Sequence, residues 1–159
     1  MKHTISVLVE NIPGVLSRVT GLFSGRGFNI ESLCVAETLD AAISRITLVT
    51  DGNDQIVEQI IKQLNKLVNV IKVTDFSAGE SVEREMALVK VRADGESRAE
   101  ILRIADIFRA KVVDVSPEFY TLEITGDFNK IQAILDLLRH FQVKEIARTG
   151  AVAMARSRK

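Results

Sequence analysis

The sequence has no tryptophan, one tyrosine, one cysteine and two histidines. A lone Cys34 excludes an intramolecular disulfide and any centre built from several thiolates. His3 and His140 stand far apart in the chain, and no local signature of a Ser–His or Cys–His pair surrounds either. His140 reads as a solvated residue, His3 as one placed at the end or edge of a strand, and Cys34 as a buried, inert thiol. Excess charge is also missing, since 21 Lys and Arg balance 21 Asp and Glu. A surface made to coat nucleic acid would be strongly basic. No apolar run approaches the roughly 20 residues of a membrane-spanning helix, and Met1–Glu10 meets an acid before a signal-peptide core could form. Nine glycines and two prolines leave few breaks, so loops are short. A soluble, cytoplasmic chain is expected, without nucleic-acid or membrane partners. The basic end Arg156-Ser157-Arg158-Lys159 reads as a frayed terminus.

The 159 residues suffice for one ordinary domain or two small ones. Periodicity favours two. Thr4–Glu10 alternates as a strand, Pro13 is placed to open a helix whose apolar positions run Val15, Leu16, Val19, Leu22 and Phe23, and Gly25 and Gly27 cap its end. Strands follow over Phe28–Ala36 and Ile43–Asp51. A helix capped within Asp51–Asp54 carries Ile56, Val57, Ile60, Ile61, Leu64, Leu67 and Val68, and Val70–Phe76 closes the set as a strand. Ser77-Ala78-Gly79-Glu80-Ser81 is the one linker-like stretch. The order then repeats: strand Met86–Arg92, a helix through Ile101–Phe108, strands Val112–Val115 and Phe119–Thr125, a helix from Gly126-Asp127 through Phe141, and a strand at Lys144–Arg148 that Val152–Met154 extends. Both halves read βαββαβ. The fold class is α+β with two ferredoxin-like domains, over 1–77 and 78–159.

Asn11-Ile12-Pro13-Gly14-Val15-Leu16-Ser17-Arg18 delivers a strand directly into a helix start. Free N–H groups and the positive end of the helix dipole meet there, which suits a small anion. One glycine and no lysine set it apart from phosphate loops. The residues alone leave two readings open, this anion site and a plain Pro-Gly helix start. Asn29 offers a donor and an acceptor at the start of the second strand, for a ligand or for a local turn. Gly25-Arg26-Gly27 ends a helix instead of opening one, so it is a cap and not a dinucleotide fingerprint. The acids Glu83, Glu85, Asp94, Glu96 and Glu100 are scattered, with neither a catalytic pair nor a metal cluster among them. No catalytic residue and no metal ligand is assigned.

Longer stretches carry a resemblance. Asn11–Val19, Gly21-Leu22-Phe23 and Arg26–Leu33 closely resemble the N-terminal ACT domain of the acetolactate (acetohydroxyacid) synthase small-subunit family. Val82–Val91, Asp106–Lys111, Val113–Pro117 and Glu145–Gly150 resemble that family's C-terminal domain. Glu37-Thr38 departs from the Pro-Thr of many members. The resemblance implies a regulatory subunit with no catalytic groups of its own. Its partner is a large catalytic subunit, to which thiamine diphosphate, Mg and, where present, FAD belong. It implies a homodimer through the ACT domains and feedback inhibition by a branched-chain amino acid, usually valine. The effector would lie against Asn11, Gly14, Val15 and Leu16 of one chain and Asn29 and Ile30 of the other. The C-terminal domain would serve activation of the large subunit and dimer packing. An ACT-type sensor attached to a DNA-binding element and a small acyl-phosphate enzyme are the competing classes; the first lacks a segment for the element, the second an Arg–Asn phosphate site.

Overall fold

A computed structural model describes residues 1–157, so Arg158 and Lys159 of the basic tail lie outside the described residues. The chain forms two compact units. One is Met1–Val82 with the segment from Ala151 onward, the other Glu83–Gly150. The Arg156 N–H donates to the Glu80 carbonyl at 2.8 Å.

In the first unit, β1 (Lys2–Glu10), α1 (Val15–Gly25), β2 (Ile30–Glu37), β3 (Ile43–Asp51), α2 (Asp54–Leu64) and β4 (Val70–Asp75) follow the βαββαβ order. The sheet order is β2-β3-β1-β4, all antiparallel. His3, Ile5, Val7 and Val9 share one face of β1 because strand side chains alternate. Their partners on β3 are Thr50, Leu48, Ile46 and Ser44. Against this face pack Val15, Val19 and Phe23 of α1 and Val57, Ile60 and Leu64 of α2, all buried. Each helix thus presents a stripe at i, i+3 or i, i+4 spacing.

The second unit repeats the plan with β5 (Ser81–Arg92), α3 (Ser97–Ile107), β6 (Lys111–Val115), β7 (Phe119–Gly126), α4 (Phe128–Leu138) and β8 (Val143–Arg148), in the sheet order β6-β7-β5-β8. Its core joins Ala87, Val89 and Val91 to Ile101 and Ile104, Leu122 and Ile124, and Ile131, Ile134 and Leu138. A bond from the Thr149 N–H to the Met86 carbonyl closes the end of β8. Val152–Ala155 is a separate strand, β9, which also pairs with β5. Both units are ferredoxin-like α+β folds.

Several details differ from the pattern read off the sequence. Pro13 is not the first helical residue. The Ile12 N–H turns back to the Glu10 carbonyl, and α1 starts after Gly14, whose φ of +87° makes it a left-handed cap. The second helix stops at Leu64 instead of reaching Val68, because the Asn65 side chain caps the Ile61 carbonyl and the next N–H groups reach back only three residues. His3 lies at a strand end but in a central strand, and it is 2% exposed. Cys34 is half-buried, because β2 is an edge strand.

The ends of α1 and α3 share one geometry and differ in one residue. After α1, Gly27 at φ +70° lets its N–H reach Ser24 and that of Phe28 reach Phe23. After α3, Arg109 at φ +54° stands in the same place, with its N–H on Asp106 and that of Ala110 on Ala105. Both are the paired-bond termination that glycine favours. Arg109→Gly is expected to raise stability by about 0.5–1 kcal/mol, the left-handed penalty less the extra freedom of glycine in the unfolded chain. Gly27→Ala should lower it by about 1 kcal/mol. Denaturant titration measures both; a destabilised Arg109→Gly protein would contradict the strain argument.

Candidate functional site

The sequence singled out the start of α1, and the structure shows how it is held. No side chain caps this helix or α3, whereas Asn53 accepts from the Ile56 N–H before α2 and Asp127 from the Lys130 N–H before α4. A Cβ added to Gly14 would meet nothing within 4 Å, so glycine is required there by its positive φ and not by crowding. The first intrahelical bond runs from the Arg18 N–H to the Gly14 carbonyl at 3.1 Å. N–H groups of the first turn have no partner within a helix, and with the helix dipole they direct positive potential out past Gly14.

The loop is fastened on both flanks. On one, the Asn11 main-chain N–H donates to the Ala42 carbonyl at 2.8 Å and its Nδ2 to the Ala41 carbonyl at 2.9 Å. On the other, the Glu10 N–H donates to the Asn69 carbonyl at 3.0 Å, Asn69 Nδ2 donates to Glu10 Oε2 at 2.7 Å, and Arg18 Nη1 donates to Asn69 Oδ1. Val15 is buried and anchors the helix start, while Leu16 is exposed beside it. Sequence reasoning missed Glu10, Asn69 and Arg18 as a group, since Asn69 lies 51 residues beyond Arg18 and no local spacing links them.

Asn29 and Ile30 lie elsewhere. The Asn29 carbonyl accepts from Thr50 Oγ1 at 2.7 Å, and half-buried Ile30 packs on the edge of the core. Ile30 is level with Thr50 of β3, whereas Glu10 is level with Ile43. Seven residues of β3 separate these levels, about 23 Å along the strand. One chain therefore holds the two groups of candidate residues at opposite ends of its sheet, with Asn29 and Ile30 at the start of an edge strand.

The matching loop of the second unit is occupied by its own side chains. Ser97 Oγ donates to the Asp94 carbonyl and accepts from the Asp94 N–H, at 2.7 and 3.0 Å. Arg98 donates to the carbonyls of Ala93 and Pro117. The hydrogen bond from Arg92 holds the Asp94 carboxyl below the usual carboxylate range, and the two side chains form an ion pair at 2.8 Å.

His3 forms a separate small cluster. Its Nε2 donates to the Gly52 carbonyl at 3.0 Å, Nδ1 faces Ser77 Oγ at 2.6 Å, and Ser77 in turn donates to Asp75. This ties β1 to the segment after β4. The alternation His3, Ile5, Val7, Val9 was the available signal for its burial. Among the described residues, no group of three or more His, Cys, Asp or Glu side chains is placed to hold a metal ion, and no helix is long and apolar enough to cross a membrane.

Known proteins match both units. Residues 5–72 fit the model of the AHAS small subunit-like ACT domain, and residues 84–157 that of the small subunit of acetolactate synthase. A probable acetolactate synthase small subunit from Archaeoglobus fulgidus is 55% identical over 159 residues, covering 100% of this chain and 99% of the relative. The acetolactate synthase small subunit of Aquifex aeolicus is 51% identical over 156 residues, covering 98% and 81%. The crystal structure of the Thermotoga maritima acetolactate synthase small subunit superposes with a TM-score of 0.90 at 47% identity, covering 100% of this chain and 99% of that one. With an ACT domain over 5–72 and the small-subunit domain over 84–157, the chain belongs to the acetolactate synthase small-subunit family.

Proposed function

We propose that this chain is the regulatory partner of a thiamine-diphosphate-dependent large subunit, which it activates, and that it confers feedback inhibition by a branched-chain amino acid, with valine as the first candidate. The observation that carries the effector half of this reading is the position of Gly14. A helix with no side-chain cap starts there, and the remaining candidate residues stand at the far end of an edge strand. A two-fold homodimer resolves that separation. Pairing β2 antiparallel with a second β2 sets the start of one strand beside the end of the other. Glu37, at that end, is level with Ser44, and Ser44 with Val9, the level from which the Gly14 loop departs. The second copy's Asn29 and Ile30 then approach Asn11, Gly14 and Leu16 of the first, while buried Val15 sets the helix start. The effector carboxylate would meet the α1 N–H groups and its branched side chain the apolar residues. The second unit, whose corresponding loop has no Pro-Gly helix start and is bonded through Asp94, Ser97 and Arg98, is left for contact with the large subunit and for dimer packing.

Gly14→Asp should weaken valine binding by about 2–5 kcal/mol, the range for opposing a buried charge. Gly14→Asn, which tolerates the same left-handed backbone without the charge, should bind more tightly than Gly14→Asp. Gly95→Asp, at the matching loop of the second unit, should leave affinity unchanged. Calorimetric titration of the full chain, alongside acetolactate formation by the large subunit with and without valine, reads all three. Equal affinity in wild type and Gly14→Asp would move the ligand elsewhere, and a large subunit indifferent to this chain would refute the regulatory role.

The single cysteine tests the dimer. Cys34 lies near the middle of β2, so the proposed pairing sets two copies of it close to the dyad. A nitroxide on Cys34 should give dipolar broadening that vanishes on dilution with unlabelled chain. A dimer without that broadening would exclude β2 as the seam.

A further inference from the structure

Three elements meet at the Gly14 end of the first sheet: β1 at Glu10, α1 at its first turns, and the loop entering β4 at Asn69. The Asn69 residue joins them with its main-chain carbonyl on the Glu10 N–H, its Nδ2 on the Glu10 carboxylate and its Oδ1 on the Arg18 guanidinium. Side chains on a helix lean toward its N-terminus, so the Arg18 guanidinium lies over the turn that begins at Gly14. Among the described residues, neither Glu10 nor Arg18 has an ion-pair partner within 4.0 Å. Each is tied to Asn69 instead, and one amide separates the opposite charges.

That arrangement has an electrostatic purpose if an anion binds at α1. The Glu10 carboxylate immediately precedes the loop, and its field opposes any carboxylate drawn to the helix N-terminus. We propose that Glu10, Asn69 and Arg18 form the charge-balancing network of the effector site, with Asn69 positioning Arg18 to cancel Glu10 so that the α1 N–H groups can donate to a carboxylate. The inference rests on the effector reading above. Asn69 is the positioning residue in it, and Arg18 acts through its field at the loop. An additional consequence is that the network confers preference for a ligand carrying a free carboxylate over one whose carboxyl is capped as an amide.

The test is a double-mutant cycle on the full-length protein, with valine as probe and calorimetry as readout. Arg18→Gln should weaken binding roughly tenfold, a coupling of the size seen between neighbouring charged groups. Arg18→Lys should stay near wild type, and Glu10→Gln should bind at least as well as wild type. The Glu10→Gln, Arg18→Gln double variant should regain most of the lost affinity, because the opposing charge is gone, and added salt should narrow the spread among the variants. A merely structural role predicts the reverse, a double variant as weak as Arg18→Gln or weaker, and that result overturns the proposal. If the wild-type chain takes up no valine, the effector reading itself fails; if it does and Arg18→Gln binds as tightly as wild type, the network alone is refuted.

Discussion

The pairing of β1 with β3 is the constraint on which the first unit depends. Nine residues of β1 match nine of β3, from Lys2 opposite Asp51 to Glu10 opposite Ile43, without a register shift. A slip of one residue would turn Ile5, Val7 and Val9 away from the helices and set Thr4, Ser6 and Leu8 in their place. The same pairing determines which ends of the sheet the candidate residues occupy. Irregularity is confined to the neighbouring seams. The register shifts between Leu8 and Val9 on the β4 side and between Ile30 and Ser32 on the β2 side. Bulges re-aim nearby residues, and these two lie beside the Glu10–Asn69 contact and beside Asn29.

The two units share an architecture and diverge at one loop. In the first, a left-handed glycine leads into a helix that no side chain caps. In the second, Asp94, Ser97 and Arg98 bind within the loop and to adjacent carbonyls. Fold alone does not set what either unit can bind, since function resides in groups placed on a fold. The two loops differ in how their side chains are bonded, within the loop in the second unit and across to Glu10 and Asn69 in the first. Elsewhere the second unit has polar links of its own, such as Arg148 bidentate on buried Glu85 between β5 and β8. That carboxylate raises the Arg148 pKa above its usual value.

Much of this was legible in the residue pattern because its causes are local. Alternation marked β1 and β3, apolar stripes marked the four helices, and Asn53 and Asp127 marked helix starts. The departures come from contacts remote in sequence. Pro13 satisfies the requirements of a first helical residue, yet the turn that brings Ile12 back to Glu10 uses those positions before the helix starts. Val68 continues the apolar spacing of α2 but lies beyond the Asn65 cap, where it is largely exposed. His3 looked terminal because it is the third residue, and it is buried because two later segments supply Gly52 and Ser77. Asn69 shows no feature in the sequence at all; its importance comes from the two charged residues that folding brings to it.

The C-terminal strand gives the chain the topology of an insertion. Glu83–Gly150 is a continuous segment bracketed by two pieces of the first unit, and its ends are close, with Thr149 bonded to Met86. Host and guest are therefore joined by two covalent crossings in place of a single tether, a connectivity that nearby termini make easy to accommodate. It also imposes an order of assembly on the ribosome. The four strands of the host sheet are synthesised before the guest begins, the guest follows without interruption, and β9, which pairs with β5, emerges last.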